Sequence, residues 1–481
     1  MTNNLKEKAI KGVSWNMIEQ FSVQGVKFIL GIILARLLTP ADFGLIGMIS
    51  VFFAVANVFI QGGLGIAYIQ KETVTDTDAN TVFFTNLIIS IGLYSGLWFG
   101  APAISSFYEQ PQLVLITRIM GLVVIINAFN IIQLSQIKRN VDFKKKTKIT
   151  LLSTIISGSL GVLAAYYGMG VWSLVIQQLT DRFVSTLILS ITNKWNPSLK
   201  FSINSLKTMF SVGIWELLSG IVQTIFQNIY ILTIGKFFPA AQLGFYTKAK
   251  QLKNLASQQL TGSVGSVSFP VLSRLQNDKI KLKNAMRKFI QYSLILTVPA
   301  MMVMIVSARP FVLLALTEKW SPMIPYLQLM CIAGFLYPIH VVNLQVLTAL
   351  GHTRLGFNLN VVKNILRIIN ISIMYRWGVI YIIYGELILS LISLILNTYY
   401  TKWLIGYGFI KQIKDIYKIV FIGFVAGGLS LWLNSYIENL WINFAFAVLS
   451  SLGLFVCLQV LFNFSLVKNI YAMRSIFIKN K

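Results

Sequence analysis

A chain of 481 residues in which 56% are hydrophobic and only 12% charged, with a mean hydropathy of +0.71, lies far from soluble globular usage, where about a quarter of residues are charged. Aromatics at 13% and only two cysteines, Cys331 and Cys457, exclude a disordered chain and a disulfide scaffold. The net charge of +26 has two ready explanations, nucleic acid or membrane topology, and no nucleic-acid-binding module accompanies the basic residues.

Lys6, Lys8 and Lys11 precede a first apolar segment, but it is too long for a secretory signal, carries Glu19 and Lys27, and lacks a small-residue cleavage site. It reads as a retained membrane helix. Segments long enough to cross a hydrocarbon core of about 30 Å then recur along the whole chain. The expected spans are 13–37, 43–69, 80–107, 112–136, 148–168, 171–192, 207–235, 241–272, 286–308, 323–350, 355–375, 378–404, 415–436 and 440–464, fourteen in all, with short connections throughout.

An even number of crossings places both termini on one side. With that side cytoplasmic, 28 of the 41 basic residues fall inside and five outside (Arg36, Lys236, Arg309, Lys319 and Arg376), so the positive-inside rule fixes the orientation. Eight remain within expected helices: Lys27, Arg118, Arg182, Lys248, Lys250, Lys253, Lys363 and Arg367. A charge at mid-bilayer costs about 2.5–3.5 kcal/mol on insertion scales, so these residues should face protein or water rather than lipid.

Compared with itself at a shift of about 200 residues, the chain matches weakly. The turn Arg36-Leu37-Leu38-Thr39-Pro40-Ala41-Asp42-Phe43-Gly44 corresponds to Lys236-Phe237-Phe238-Pro239-Ala240-Ala241-Gln242-Leu243-Gly244; Gly62, Gly65 and Asp78 correspond to Gly262, Gly265 and Asp278. The shift spans six helices, so the copies share one membrane orientation, a parallel repeat. The expected division is a six-helix lobe over 1–200, a second over 201–405, and two further helices with a cytoplasmic tail over 406–481.

At 100° per residue the first helix gathers Asn16, Gln20, Gln24 and Lys27 within an arc of about 80°. The second aligns Ser50, Asn57, Gln61 and Tyr68, and the seventh Glu216, Ser219, Gln223, Gln227 and Tyr230. The eighth aligns Tyr246, Lys250, Lys253, Ser257 and Thr261, with Lys248 nearly opposite. The eleventh aligns Asn360, Lys363, Asn364, Arg367 and Asn370. Lys27, Lys250, Lys253, Lys363 and Arg367 lie roughly 13–21 Å from the ends of their helices, too deep for simple interface anchors. They either pair with Glu19, Asp181, Glu216 or Glu386, or form an anion site in a central cavity. Their excess over those acids favours the anion site, with phosphate or pyrophosphate suited to Lys and Arg. The expected cavity lining is Asn16, Gln20, Gln24, Asn57, Gln61, Glu216, Gln223, Gln227, Asn360 and Asn364.

Arg118 and the Asp181-Arg182 pair read as structural, and the cluster from Lys138 to Lys148 as an orientation anchor or lipid contact. Pro270, Pro299 and Pro338 are candidate kinks. His340 and His352 are not at metal-ligand spacing, no acid, base and nucleophile set is visible, and there is no Walker phosphate loop. The expectation is therefore no enzyme, no metal and no cofactor.

The pattern from Gly12-Val13-Ser14-Trp15 through Ala35 to Gly44 resembles the polysaccharide transporter (Wzx-type flippase) family, as do Leu243-Gly244-Phe245-Tyr246-Thr247-Lys248-Ala249 and the segment around Asn140-Val141-Asp142-Phe143. The likeness covers essentially the whole chain and is strongest to lipopolysaccharide or colanic-acid-type exporters. It implies an all-α polytopic protein of two six-helix bundles plus two C-terminal helices, within the multidrug, oligosaccharidyl-lipid and polysaccharide exporter superfamily. It also implies flipping of undecaprenyl-pyrophosphate-linked oligosaccharide to the periplasmic leaflet of a bacterial inner membrane.

The expected partners are that lipid-linked oligosaccharide and membrane lipids, with a polysaccharide polymerase and chain-length proteins as candidates and nucleic acid excluded. A cation-coupled drug or metabolite antiporter of the same superfamily is the alternative, disfavoured by the cationic excess. A membrane-embedded glycan polymerase or ligase is a third, disfavoured by the lack of a long reactive loop.

Overall fold

The computed structural model describes residues 3–193 and 195–463; at 3–14, 16–20, 61, 62, 211, 212, 215, 216 and 263 only the backbone is described. The described chain is helical throughout, with no strand. It divides into two compact units, Met1–Thr247 and Lys248–Lys481.

The first unit holds α1 (Asn3–Leu37), α2 (Pro40–Gly62), α3 (Leu64–Gln70), α4 (Asp76–Tyr108), α5 (Leu113–Arg139), α6 (Phe143–Tyr166), α7 (Val171–Thr192), α8 (Ile203–Phe237) and the start of α9 (Ala240–Arg274). The second holds the rest of α9, then α10 (Lys279–Val306), the single turn α11 (Ala308–Phe311), α12 (Ile324–Gly334), α13 (Tyr337–Ala349), α14 (Thr353–Met374), α15 (Val379–Ile405), α16 (Phe409–Asn434) and α17 (Leu440–Phe462).

Every expected span has a helical counterpart, but two are interrupted. The span 43–69 pauses at Gly63 between α2 and α3, and 323–350 is split into α12 and α13, where Pro338, lacking an N–H, fits the first turn of the new helix. Pro270 and Pro299 lie inside continuous helices. Eleven described helical segments are long and apolar enough to cross a membrane. The chain is therefore a multi-pass membrane protein, although the expected count of fourteen crossings is not reached by that measure. Neither α9 nor α14 is among the eleven. Those two helices carry Lys248, Lys250, Lys253, Lys363 and Arg367 together with many Asn, Gln and Ser residues, so they are the polar helices of the second unit.

The repeat is visible in the helix bounds. Both α1 and α8 are 35 residues long and end at Leu37 and Phe237, and α2 and α9 begin at Pro40 and Ala240, each pair offset by 200. The two related turns meet within the first unit. A Cβ added at Gly44 would collide with the carbonyl oxygen of Ala240, and one at Gly244 with the carbonyl oxygen of Pro40. The contact is thus reciprocal under the 200-residue shift, as a local two-fold relation requires. Further along α2, a Cβ on Gly213 would lie 2.6 Å from the carbonyl of Gly63, so α8 crosses this helix with no side chain between the backbones.

In the first unit α4 packs along α5, and α6 packs on both α1 and α7. Val82, Phe83, Ile132 and Leu64 form one buried cluster between α3, α4 and α5, with Met209 of α8. In the second unit α10 is central: Ile290, Leu294, Val298 and Met301 are fully buried, and Gly423 and Gly427 let α16 approach Val298 and Met302.

The turns are capped by their own sequence. At α2, Thr39 Oγ1 accepts from the Asp42 amide at 3.3 Å and the Asp42 carboxylate accepts from the Thr39 amide at 2.8 Å. At α10, Asp278 accepts from the amides of Ile280 (3.1 Å) and Lys281 (3.0 Å), with the Lys281 ammonium at 3.1 Å. These partners hold the Asp278 carboxyl below its ordinary range, the backbone bond from Lys281 contributing most. Because the folded value lies below the unfolded one, the stabilisation is present above the unfolded pKa, about 3.9, and is lost as pH falls through the folded value. Asp278→Asn should therefore lower the melting temperature at neutral pH, with the difference from wild type shrinking below about pH 4 in melting curves recorded across pH.

Candidate functional site

The deep cations expected from the eighth and eleventh spans converge in the second unit. Lys250 of α9 is within electrostatic reach of Glu386 on α15, Lys253 on its own helix and Arg367 on α14. On α9, α14 and α15 Glu386 is the one carboxylate, against the deep cations Lys250, Lys253, Lys363 and Arg367 and, nearer the helix ends or on another face, Lys248, Arg274, Arg354 and Lys402. A 3- and 4-residue helical spacing puts the cations on one face of each helix, and α14 packs on α15, the helix that carries Glu386. Gly385 permits this packing, since a Cβ there would collide with the amide of Asn370.

Lys253, Glu386, Met330, Ala333 and Ile383 line a small recess of about 10 Å³, room for one water at most. The side-chain ammonium of Lys253 makes no hydrogen bond or ion pair among the described residues, and Glu386 Oε2 is buried without a partner. A buried, unsatisfied carboxylate oxygen costs about 1–3 kcal/mol or more. The recess therefore holds unspent polar capacity: a cation able to accept an anion and an acid able to exchange partners.

Lys363 is drawn into a different arrangement. Its Nζ donates to Asn397 Oδ1 at 2.6 Å, Asn397 Nδ2 lies 3.0 Å from His340 Nδ1, and His340 Nε2 lies 3.1 Å from Ser390 Oγ. Since the amide oxygen of Asn397 is taken by the ammonium, its NH2 donates to Nδ1, and the imidazole proton sits on Nε2, directed at Ser390. Arg367 donates to Asn364 Oδ1 at 3.1 Å. Asn397→Leu strands the Lys363 ammonium and should destabilise the protein by about 1–3 kcal/mol. The double variant Lys363→Met with Asn397→Leu should recover part of that loss, as a double-mutant thermal-melt cycle would show.

The remaining expected positions separate. In the first unit Lys27 is exposed, Gln24 half-buried, and Gln223 and Gln227 exposed. Asn57 Oδ1 accepts from Asn127 at 2.8 Å, joining α2 to α5. Asn360 is exposed. Asn16, Gln20, Gln61 and Glu216 lie outside the described side chains. Arg118 stacks 4.9 Å over Trp98 and donates to its carbonyl, in keeping with a structural role. Lys248, on the opposite face of α9, is buried, and Lys250 is half-buried.

A family model described as a polysaccharide biosynthesis protein matches residues 33–325. The chain belongs to that family. Within it the chain is 23% identical over 438 residues to the lipopolysaccharide biosynthesis protein WzxC of Escherichia coli (strain K12), covering 90% of this chain and 86% of that one. It is 22% identical to the teichuronic acid biosynthesis protein TuaB of Bacillus subtilis (strain 168), over 74% of each chain. It is 25% identical to the succinoglycan biosynthesis transport protein ExoT of Rhizobium meliloti (strain 1021), over 70% of this chain and 69% of that one.

This family member's fold is that of the lipid II flippase MurJ in an inward closed conformation, with a TM-score of 0.76 at 16% identity, covering 95% of this chain and all of that one. An inward-facing multidrug resistance MATE transporter of the MOP superfamily superposes with a TM-score of 0.62 at 15% identity, over 79% of this chain and 94% of that one. The expected fold class holds. Both comparisons share architecture with flippases and drug transporters alike, so the fold does not choose between them.

Sequence reasoning treated Glu386 only as a neutralising partner and missed Ser390 and Asn397. A signal was available, since Glu386, Ser390, Asn397 and Thr401 fall within about 60° on α15. Metal spacing says nothing of His340's partners, Ser390 and Asn397, which both come from α15.

Proposed function

We propose that this protein moves undecaprenyl-pyrophosphate-linked oligosaccharide from the cytoplasmic to the periplasmic leaflet of a bacterial inner membrane, for assembly of a surface polysaccharide. The observation that carries the reading is the excess of the deep cations Lys250, Lys253, Lys363 and Arg367 over the one carboxylate, Glu386, on α9, α14 and α15. A pyrophosphate entering a low-dielectric region needs compensating charge, and Lys250, Lys253 and Arg367 supply it. The functions of WzxC, TuaB, ExoT and MurJ concern polysaccharide assembly, transport or a lipid-linked precursor, and they support the same reading.

In this reading the glycan crosses a polar path formed by two lobes, 1–200 and 201–405, the helices of 406–481 flank them, and both termini are cytoplasmic. The lobes expose the site to each side in turn while the lipid tail stays in the bilayer. The protein binds and releases its substrate without making or breaking covalent bonds. A polysaccharide polymerase and chain-length proteins would act on the delivered product.

The test is transport in proteoliposomes with a fluorescent lipid-linked oligosaccharide, scored by loss of accessibility at one leaflet. Protein-dependent translocation is expected. Transport of cationic dyes with no movement of the lipid-linked sugar would replace this reading with the antiporter.

A further inference from the structure

A second cationic cavity, of about 550 Å³, opens in the second unit between the N-terminal turns of α10 and α16, with Asn463 after α17 at its edge. On α10, Lys288 and Tyr292 are one turn apart with Arg287 beside them; on α16, Lys414 and Lys418 are one turn apart. The cavity contains one carboxylate, Asp415, and it is fully committed. Arg287 reaches its Oδ1 at 2.7 Å, Tyr407 donates to its Oδ2 at 2.8 Å, and Gln291 fixes its backbone carbonyl at 2.9 Å. Tyr407 lies in the turn between α15 and α16, and burial raises its hydroxyl, which therefore stays a donor at physiological pH.

Arg287 and Asp415 cancel, which leaves Lys288, Lys414 and Lys418 without a hydrogen bond or ion pair among the described residues. Orientation alone asks only that basic residues lie on one side; it does not ask three of them to converge on one cavity around a neutralised acid. At about 1.5 Å per residue these lysines lie only about 8–14 Å from the starts of their helices, the depth of lipid head groups. Tyr292 and Tyr417 flank them, the aromatic type favoured at that level.

We propose that this cavity binds the phosphate of an anionic membrane phospholipid, held by Lys288, Lys414 and Lys418. The site is distinct from the recess at Lys253, and it does not depend on what the protein transports.

The experiment uses the full-length protein in nanodiscs and in detergent, with phosphatidylglycerol, phosphatidylcholine and inorganic phosphate as probes. Phosphatidylglycerol should be retained through purification and should raise the melting temperature, while phosphatidylcholine and millimolar inorganic phosphate should not. The triple variant Lys288→Gln, Lys414→Gln, Lys418→Gln should weaken phosphatidylglycerol binding by roughly tenfold to a hundredfold. The triple Lys→Arg variant should keep it, which separates lost charge from lost folding. Equal retention of both lipids by the wild type, or phosphatidylglycerol binding unchanged in the Gln variant, would overturn the proposal. A stabilisation by inorganic phosphate matching that of the lipid would assign the site to a soluble anion and overturn it as well.

Discussion

Lys253→Gln combined with Arg367→Gln should abolish export of lipid-linked oligosaccharide while leaving the protein inserted and abundant. Lys253 lines the recess with an uncommitted ammonium, and Arg367 contributes to the same positive field at Lys250. Each charge-assisted hydrogen bond to a phosphate oxygen is worth about 1.5–3 kcal/mol, so losing two should lower transport at limiting substrate by roughly a hundredfold or more. Destabilisation from the Lys253 change should be small, because its ammonium has no hydrogen-bond or ion-pair partner among the described residues. Glu386→Gln is the informative counterpart. If the substrate is an anion, removing the sole carboxylate leaves transport intact or strengthens head-group binding; if it were an organic cation, the same change would abolish transport. Transport assays of both variants on one lipid-linked glycan and one cationic dye decide the matter. Wild-type export after removal of Lys250, Lys253, Lys363 and Arg367 together would end the charge-site reading.

The second large effect is expected at the glycine crossing. Gly44→Val should be more damaging than any conservative core change in the first unit, because the added atoms meet the Ala240 carbonyl, a backbone atom that cannot rotate away. Overpacking of this kind costs about 1–3 kcal/mol, and it forces apart the turn between α1 and α2 and the turn between α8 and α9. Gly244→Val strikes the reciprocal contact at Pro40. The two substitutions open one crossing, so their effects on melting temperature should be well below additive. Gly262→Ala on α9 serves as the control: nothing lies within 4 Å of a Cβ there, and the change should be neutral or slightly stabilising. Additive losses from Gly44→Val and Gly244→Val would mean the two turns do not share a contact.

The legible part of the site followed helical arithmetic. Helical angle alone places Lys250 and Lys253 on one face and Lys248 on the other; in the structure Lys248 is buried and Lys250 and Lys253 are half-buried. Lys363 and Arg367 share a face of α14, yet they go to different partners: Arg367 bonds Asn364 within the stripe, while Lys363 takes its acceptor, Asn397, from the neighbouring α15. Asn57 shows the same limit from the other direction. It was expected to line a cavity, and it instead spends its oxygen on Asn127 across a helix pair.

By itself the sequence determined that the chain lives in a bilayer, the approximate course of its helices, which residues are too polar for lipid, and that the turn at 36–44 returns 200 residues later. Hydropathy, caps and helical period are local, and each acts within a few residues. The tertiary structure decided what local signals cannot carry. It selected Glu386 as the one acid among four cations, gave Lys363 its partner in Asn397, and placed Gly44 and Gly244 each against the other's turn. Those choices depend on which helices become neighbours, and in a membrane that is settled by close packing of small residues and by the need of each buried polar group for a partner.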